Sequence, residues 1–214
     1  MRRIILVLFT VFFAAQVYAM VPPNVPAEIA LYKLKEGNDR FVSFQMKHPN
    51  IDKTRRTKLI NGQHPFAVIV ACSDSRVAPE IIFDQGLGDI FVIRNAGNVI
   101  NENVLENIKY AVNNFGVNLV VIISHEFCHE VGTVMREENK TSSVKSIKET
   151  ITSAIECCKK ENRYSYENVI KEHAKLSVGN ILKDKEISTY MKKHDLKIIS
   201  AYYNIDTGKV EFFK

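Results

Sequence analysis

Three unbroken apolar runs of strand length mark the middle of the chain. They span residues 66–71, 90–93 and 119–123. None of them alternates apolar with polar positions, and such runs are typical of strands buried on both faces, hence of a parallel sheet covered by helices. Two further segments, 196–203 and 209–213, are separated by a turn with Asp-Thr-Gly at 206–208, which predicts a terminal hairpin.

The segments around these runs have the spacing or composition of helices. Apolar residues at 104, 105, 108, 111, 112 and 115 form one helical stripe, and Gly116 ends it. Helical composition also marks Ala27–Met46, Ser142–Lys159 and Tyr164–Lys183. The pattern predicts one α/β domain with a central, mostly parallel sheet flanked by helices. Ala27–Met46 would form an N-terminal helical arm, suited to packing on a partner.

The first nineteen residues differ from the rest of the chain. A positive start, Met1-Arg2-Arg3, precedes Ile4–Ala15, which is apolar apart from Thr10, and small residues flank Tyr18. This is the pattern of a secretory signal peptide, and its apolar run is shorter than the roughly 17–25 residues of a membrane span. We therefore expect a signal peptide over 1–19, one domain over 20–214, no membrane attachment after cleavage, and a periplasmic or secreted protein. An uncleaved N-terminal anchor is the alternative.

Composition narrows the classes of protein further. The 214 residues are 46% hydrophobic and 25% charged, which excludes a disordered chain, and four cysteines are too few for a disulfide scaffold. The formal net charge of +5 is mild. It falls to +3 without the leader, because Arg2 and Arg3 leave and 27 basic residues then face 24 acidic ones. The sequence contains no stripe of basic and aromatic residues that would predict nucleic-acid binding.

Residues that carry chemistry follow two of the apolar runs directly. The first run leads into Cys72–Arg76 (CSDSR) and the third into Ser124–Cys128 (SHEFC). Both motifs fall at carboxyl ends of predicted parallel strands, where open α/β sheets build their sites. Thiolates and an imidazole from Cys72, His125 and Cys128 would favour Zn²⁺, and three protein ligands are the pattern of a catalytic zinc site. A single strand-end cysteine is often only a buried hydrophobe, so the specific signal is the conjunction.

With these motifs the sequence resembles the β-class carbonic anhydrases, and among them the plant-like branch. The resemblance extends over about residues 27–213 and is densest in the segments 71–77, 80–89, 91–98 and 125–128. It implies a β-carbonic anhydrase fold and reversible hydration of CO₂ to bicarbonate and a proton by zinc-bound hydroxide. It also implies one Zn²⁺ per chain on Cys72, His125 and Cys128. The family forms homodimers or higher homo-oligomers with active sites at the interface, and the leader would make this an exported bacterial member.

The resemblance also assigns roles around the metal. Asp74 and Arg76 correspond to a catalytic dyad, in which Arg76 holds Asp74 by a charge-assisted fork and Asp74 orients the hydroxide. In some relatives the aspartate binds zinc and closes the site, and the sequence leaves both states open. The substrate pocket of the family corresponds to Gln63, Phe91, Ala96 and Tyr110. Tyr110 lies off the main apolar stripe of its helix, as a residue that faces a dimer partner would.

Several residues depart from the family pattern or have no assigned role. Ser124 stands where the family usually has glycine, and fits either a hydrogen bond to a loop amide or added bulk near the zinc. His129 fits an exposed loop residue better than a proton shuttle. Cys157 and Cys158 are adjacent on a predicted helix, where a mutual bridge is strained, so we expect free or buried thiols. His173 lies on an apolar stripe and is expected in the core.

Two other functions compete with carbonic anhydrase activity. Relatives that hydrolyse CS₂ or COS share the ligands, and a longer or occluded tunnel would favour that activity. A non-catalytic zinc or redox-sensing protein would bind the metal without hydrating CO₂. The pair Asp74–Arg76 argues against the second alternative, because a structural zinc site does not need it.

Overall fold

A five-stranded sheet lies at the centre of the computed structural model, which describes residues 24–136 and 145–213. Its strands are β1 Ala67–Cys72, β2 Ile90–Asn95, β3 Leu119–His125, β4 Lys197–Tyr203 and β5 Val210–Phe213. The spatial order is β2-β1-β3-β4-β5; the first four strands pair in parallel and β5 pairs antiparallel to β4. The predicted α/β class, with a mostly parallel sheet and a terminal hairpin, is confirmed. The predicted leader over 1–19 lies outside the described residues.

Helices cover both faces of the sheet. They are α1 Ala27–Val42, α2 Lys53–Lys58, α3 Pro79–Ile82, α4 Glu102–Phe115, α5 His129–Met135, α6 Lys145–Lys160, α7 Tyr166–Leu182 and α8 Lys185–Met191. The four long helices α1, α4, α6 and α7 follow the sequence prediction, although residues 142–144 lie outside the described part. The short ones had no predicted counterpart, because one or two turns are too few to show apolar periodicity. In the described ranges, no helix has the length and apolar character that crossing a membrane requires.

Every residue of β1 and β3 is buried, which explains why their sequences do not alternate. Successive side chains point to opposite faces of the sheet. Ile69 of β1 packs in the cluster that contains Leu34 of α1. Its neighbour Val68 packs in the cluster that contains Ile108 of α4. The sheet is therefore enclosed by two apolar layers, and its strand ends are held rigidly in register.

Helix α1 packs on the sheet of its own chain. Ala30 and Leu34 are fully buried, and the buried Asn38 bonds the terminal hairpin: its Nδ2 donates to Gly208 O at 2.9 Å, and its Oδ1 accepts from Val210 N at 2.8 Å. The helix ends at Val42, four residues before the predicted end. The outer side of α1 remains exposed.

The turn after α3 is built around a buried carboxylate, that of Asp84. Its two oxygens accept hydrogen bonds from the backbone N–H groups of Lys47 and His48 at 3.0 and 2.9 Å. Arg40 of α1 donates to the same group at 2.6 Å. Burial opposes ionisation of Asp84, but these three donors outweigh it and hold the pKa of its carboxyl below the usual value. The turn thereby fixes α1 to the connection between β1 and β2.

Candidate metal centre

Three side chains with metal-ligating atoms converge at the carboxyl ends of β1 and β3. Cys72 is the last residue of β1, His125 is the last residue of β3, and Cys128 follows three residues later at the start of α5. Their Sγ and ring nitrogen atoms all lie within 4.8 Å of one another, and all three residues are buried. The parallel pairing of β1 with β3 produces this convergence. The structure thus brings together the three residues predicted from sequence, and their role as ligands stays a prediction.

The imidazole of His125 has the orientation and tautomer of a metal ligand. Its Nδ1 lies 2.9 Å from the carbonyl oxygen of Glu126, and because a carbonyl only accepts, Nδ1 carries the proton. Nε2 therefore has a free lone pair. It is buried and has no hydrogen-bond partner among the described residues. A buried nitrogen without a partner, facing two thiols, fits a metal ion of the soft-to-borderline kind such as Zn²⁺.

The thiol of Cys72 is surrounded by donors that favour its charged form. Hydrogen bonding with Cys128 contributes most, and the N–H of Gly97 points to Sγ at 3.3 Å. Together they lower the pKa of Cys72 to about 4, while the same bond to Cys72 raises the pKa of Cys128. Because a metal ion binds cysteine as thiolate, metal binding would displace thiol protons from this pair.

Arg76 holds the carboxylate of Asp74 two residues after Cys72. Its Nε and Nη2 donate to Oδ1 and Oδ2 of Asp74 at 3.0 and 2.8 Å, and its backbone N–H donates to Oδ1 at 3.0 Å. These bonds hold the pKa of Asp74 far below its usual value. Asp74 does not belong to the cluster of potential ligands found among the described residues. The carboxylate is therefore held by Arg76. Of the two states that the sequence left open, this is the open one, in which the aspartate does not close the metal site.

Arg94, at the end of β2, braces the backbone that carries Cys72 and Asp74. Its Nε donates to the carbonyl oxygen of Cys72 at 3.2 Å, and its Nη2 donates to that of Asp74 at 2.9 Å. Sequence reasoning assigned Arg94 no role. The available signal was a lone cation at the end of an apolar strand that pairs with β1.

The loop from His125 to Cys128 is fixed from several directions. Phe127 has a left-handed backbone with φ 53°, uncommon for a bulky residue, and its carbonyl accepts a hydrogen bond from Arg76 at 3.1 Å. The carboxylate of Glu126 accepts from the N–H of Ile205 in the terminal hairpin at 3.1 Å. Tyr166 of α7 donates to the carbonyl of Cys128. Glu126 and Tyr166 were missed from sequence, because their partners are distant backbone groups.

The four residues assigned to a substrate pocket do not lie together. Ala96 is exposed and directly precedes Gly97 beside Cys72. Phe91 and Tyr110 form an aromatic pair, with ring centroids 6.4 Å apart. Phe91 lies four residues before Asn95, which pairs with Cys72, so along the strand it is about 13 Å from the metal centre.

Gln63 lies in a different place again. It lines a surface groove of about 550 Å³ together with Ile60 and Leu87. The described contacts do not connect this groove with the metal centre. Within one chain, therefore, the structure assembles the potential ligands, the dyad and Ala96, and leaves Gln63 and the aromatic pair apart from them.

The structure also gives the positions and contacts of Ser124, His129 and the adjacent cysteines at 157 and 158. The hydroxyl of Ser124 donates to the carbonyl of Ala201 in β4 at 3.0 Å, so its hydrogen bond goes to a strand and not to a loop amide. His129 is exposed, at the first position of α5. Cys158 is buried and Cys157 half-buried, and both face Arg163.

A mostly parallel sheet with two cysteines and a histidine at adjacent strand ends, beside an Asp–Arg pair, defines a β-class carbonic anhydrase site. The carbonic anhydrase family model matches residues 67–210. Carbonic anhydrase 2 of Mycobacterium tuberculosis is 35% identical over 192 residues, which cover 87% of this chain and 93% of that protein. The chain therefore belongs to the carbonic anhydrase family.

Solved structures agree with this assignment. A β-carbonic anhydrase of Aspergillus fumigatus has a TM-score of 0.65 at 26% identity and covers 87% of this chain and 90% of its own. Tetrameric β-carbonic anhydrases of Sordaria macrospora are similar in fold, with a TM-score of 0.66 at 20% identity, covering 87% of this chain and 97% of theirs.

Proposed function

We propose that this protein is a zinc-dependent carbonic anhydrase, which interconverts CO₂ and bicarbonate with release or uptake of a proton. The observation that carries the proposal is a buried Cys-His-Cys group with an ionised, arginine-held carboxylate two residues from its first cysteine. A structural zinc site needs no such carboxylate. Membership of the carbonic anhydrase family supports the same reaction.

Cys72, His125 and Cys128 would hold the zinc ion, and the free Nε2 of His125 is the atom that would coordinate it. When bound by three protein ligands, zinc supplies Lewis-acid activation of water at neutral pH. The protein supplies the rigid surroundings: the backbone of Cys72 is held by Arg94, and Nδ1 of His125 is held by a carbonyl.

Asp74 would orient the reacting hydroxyl group through a hydrogen bond. A carboxylate has about four acceptor positions. Oδ1 of Asp74 accepts two hydrogen bonds from Arg76, and Oδ2 accepts one. One position on Oδ2 is therefore left for an O–H donor next to the metal. Because its pKa is held far below the usual value, Asp74 is ionised and serves as an acceptor at neutral pH.

The separation of the pocket residues supports a homodimer in which each chain completes the site of the other. Phe91 and Tyr110 are apart from the metal centre of their own chain, yet Tyr110 leaves 52% of its surface exposed. Phe127 beside the metal centre exposes 58%. A dimer that brings the Phe91–Tyr110 pair of one chain to the metal centre of the other would cover both of these aromatic side chains. The Sordaria macrospora enzymes of the same fold are described as tetrameric, and a higher assembly of dimers would fit as well.

Export is supported by the sequence of residues 1–19. We expect the full chain, expressed in a bacterium with a C-terminal tag, to reach the periplasm and to lose residues 1–19, as intact-mass measurement would show. Ala19→Arg should block the cleavage, because signal peptidase needs a small residue there. A wild-type chain that keeps its full mass in the membrane fraction would establish the uncleaved anchor instead.

The activity is tested by stopped-flow CO₂ hydration together with metal analysis. We expect about one zinc per chain and CO₂ hydration in the wild type. Asp74→Ala should keep its zinc and lose about 10–100-fold in activity. Asp39→Ala, at an exposed aspartate of α1, is the matched control and should behave as wild type. Full zinc loading without any hydration of CO₂ by the wild type would refute the proposed function.

A further inference from the structure

Helix α7 touches the backbone beside both thiols of the metal centre, although its own residues offer no ligand to the cluster. Tyr166 and His173, seven residues apart, make these contacts. At 100° per residue, seven residues return to within about 20° of the same direction, so both side chains lie on one face of the helix. That face packs in the apolar cluster that contains Cys72 and Cys128.

His173 acts on Cys72 through Gly97. Its Nε2 lies 2.9 Å from the carbonyl oxygen of Gly97, so Nε2 carries the proton and donates it. The N–H of Gly97 in turn points to Sγ of Cys72 at 3.3 Å. One glycine therefore receives a hydrogen bond from α7 on one side and gives a hydrogen bond to the proposed ligand on the other.

Gly97 has a backbone conformation that favours glycine. Its φ is +68°, a left-handed value that side chains rarely adopt, and it interrupts a short helical turn after β2. A Cβ there would meet the nearest atom, Cβ of Glu130, at an ordinary 3.4 Å, so the backbone angle and not lack of space requires glycine. Backbone rotation at a glycine meets few steric barriers, and the hydrogen bond from His173 restricts this rotation at Gly97.

A buried histidine such as His173 is uncommon at a position that serves only for packing. It is 1% exposed, burial lowers its pKa and thus keeps it neutral, and its Nδ1 has no partner among the described residues. Leaving a buried nitrogen unpaired destabilises the fold, and an apolar side chain of similar volume would avoid that cost. The hydrogen bond to Gly97 is the gain that only a donor provides.

Tyr166 makes the corresponding contact at the second thiol. Its hydroxyl donates to the carbonyl oxygen of Cys128 at 2.5 Å. The same carbonyl also accepts from the N–H of Gly132, so it is the point at which α5 begins. Through Tyr166, helix α7 fixes the start of α5 and with it the position of Sγ of Cys128.

We propose that His173 and Tyr166 are positioning residues, through which α7 holds the two thiols at the spacing that the zinc ion requires. The proposal rests on the proposed function, since it concerns the same metal centre. It assigns neither residue to the chemistry of CO₂. It predicts instead that the affinity for the metal depends on two side chains that never touch the metal.

The test measures Zn²⁺ affinity by competition with a chelator, and the absorption of the Co²⁺-substituted protein, whose thiolate charge-transfer bands report ligand geometry. His173→Leu should weaken zinc binding about 10–100-fold and shift the cobalt bands. His173→Gln, whose amide places a donor near the position of Nε2, should recover most of the affinity. Tyr166→Phe, which removes one oxygen atom, should weaken binding and perturb the cobalt bands as well.

Ile181→Ala is the matched control, because Ile181 is a fully buried residue of α7 in a different apolar cluster. It should lower the melting temperature without changing zinc affinity. Wild-type zinc affinity in His173→Leu, or equal losses in Ile181→Ala at equal stability, would overturn the proposal. If His173→Leu does not fold, unchanged affinity and cobalt bands in Tyr166→Phe overturn it. A wild type that binds zinc but does not hydrate CO₂ would refute the proposed function alone.

Discussion

Arg76 and Asp74 are joined by three hydrogen bonds, two from the guanidinium and one from the backbone N–H of Arg76. The same guanidinium donates to the carbonyl of Phe127, in the loop that carries the other two proposed ligands. One arginine therefore connects the motif after β1 with the motif after β3. It keeps Asp74 ionised and also fixes the direction in which its remaining acceptor position points.

Removing Arg76 should release Asp74. In Arg76→Ala the pKa of Asp74 rises toward the ordinary value of about 3.9, and the carboxylate is free to turn to the metal. We expect CO₂ hydration to fall about 10–100-fold with zinc retained, and the loss to deepen as the pH is lowered. Arg76→Lys keeps the charge but lacks the planar fork, so its activity should lie between those of the wild type and Arg76→Ala. Stopped-flow rates and zinc content across the pH range check this; wild-type rates in Arg76→Ala would contradict it.

The two pairs of cysteines should separate cleanly by mutation. Cys128→Ser removes a thiol of the metal centre, and we expect loss of most zinc and of activity to below about a tenth of wild type. Cys157→Ser is the control, because Cys157 of α6 contacts Glu172 of α7 and Arg163 in the connection between these helices, and not the metal centre. It should keep its zinc and its activity. Equal zinc loss in the two variants would show that the proposed ligand set is wrong.

Much of the sheet could be predicted because its signal is local. β1 and β3 are buried on both faces, and this produces the unbroken apolar runs that identify them. The motifs that begin at Cys72 and end at Cys128 were also recognisable, since ligands at strand ends lie within a few residues of the strand. The helix with Gly116 at its end followed the same logic: that glycine has φ +61°, as a helix stop requires.

The supports of the site could not be predicted, because each is a contact between distant segments. His173 has the sequence context of a core residue, and nothing local indicates that its Nε2 donates to Gly97, 76 residues away. Arg94 bonds two carbonyl groups of another strand end. Every residue has a backbone carbonyl, so the residue type does not indicate which carbonyl accepts such a hydrogen bond. In the proposed homodimer, the role of Phe91 and Tyr110 would likewise depend on where a second chain binds.

The buried Asp84 gives the fold a predictable dependence on pH. Its folded pKa is below the unfolded value of about 3.9, so its contribution to stability is complete above that pH and is lost as the pH falls through the folded pKa. Asp84→Asn should lower the free energy of unfolding at neutral pH by about 1–3 kcal/mol, since hydrogen bonds to a charged acceptor are lost.

Denaturant unfolding of wild type and Asp84→Asn at several pH values measures this difference. The gap between the two proteins should be constant near neutral pH and should shrink below about pH 4. Asp39→Asn, at the exposed aspartate of α1, should unfold as wild type does at every pH. A gap that persists unchanged into acid would mean that Asp84 stabilises the fold without being ionised.

A site shared between two chains predicts complementation between inactive variants. Asp74→Ala damages the metal centre and Tyr110→Ala damages the aromatic pair, so each variant alone should lose most activity. In a heterodimer of the two, one site carries both lesions and the other site carries neither. Because random mixing makes half of the dimers heterodimers, co-expression should restore about a quarter of wild-type activity.

The matched control pairs Asp74→Ala with Arg76→Ala, two lesions in the same metal centre. Every site of that heterodimer carries one lesion, so co-expression should restore nothing. If the pocket were formed within one chain, the first mixture would give only the mean activity of Asp74→Ala and Tyr110→Ala measured separately, as the control pair gives the mean of its own parents. The ratio of the activities of the two mixtures therefore decides whether Tyr110 serves its own metal centre or that of the partner. These activities are measured by stopped flow on samples shown to be dimeric by light scattering.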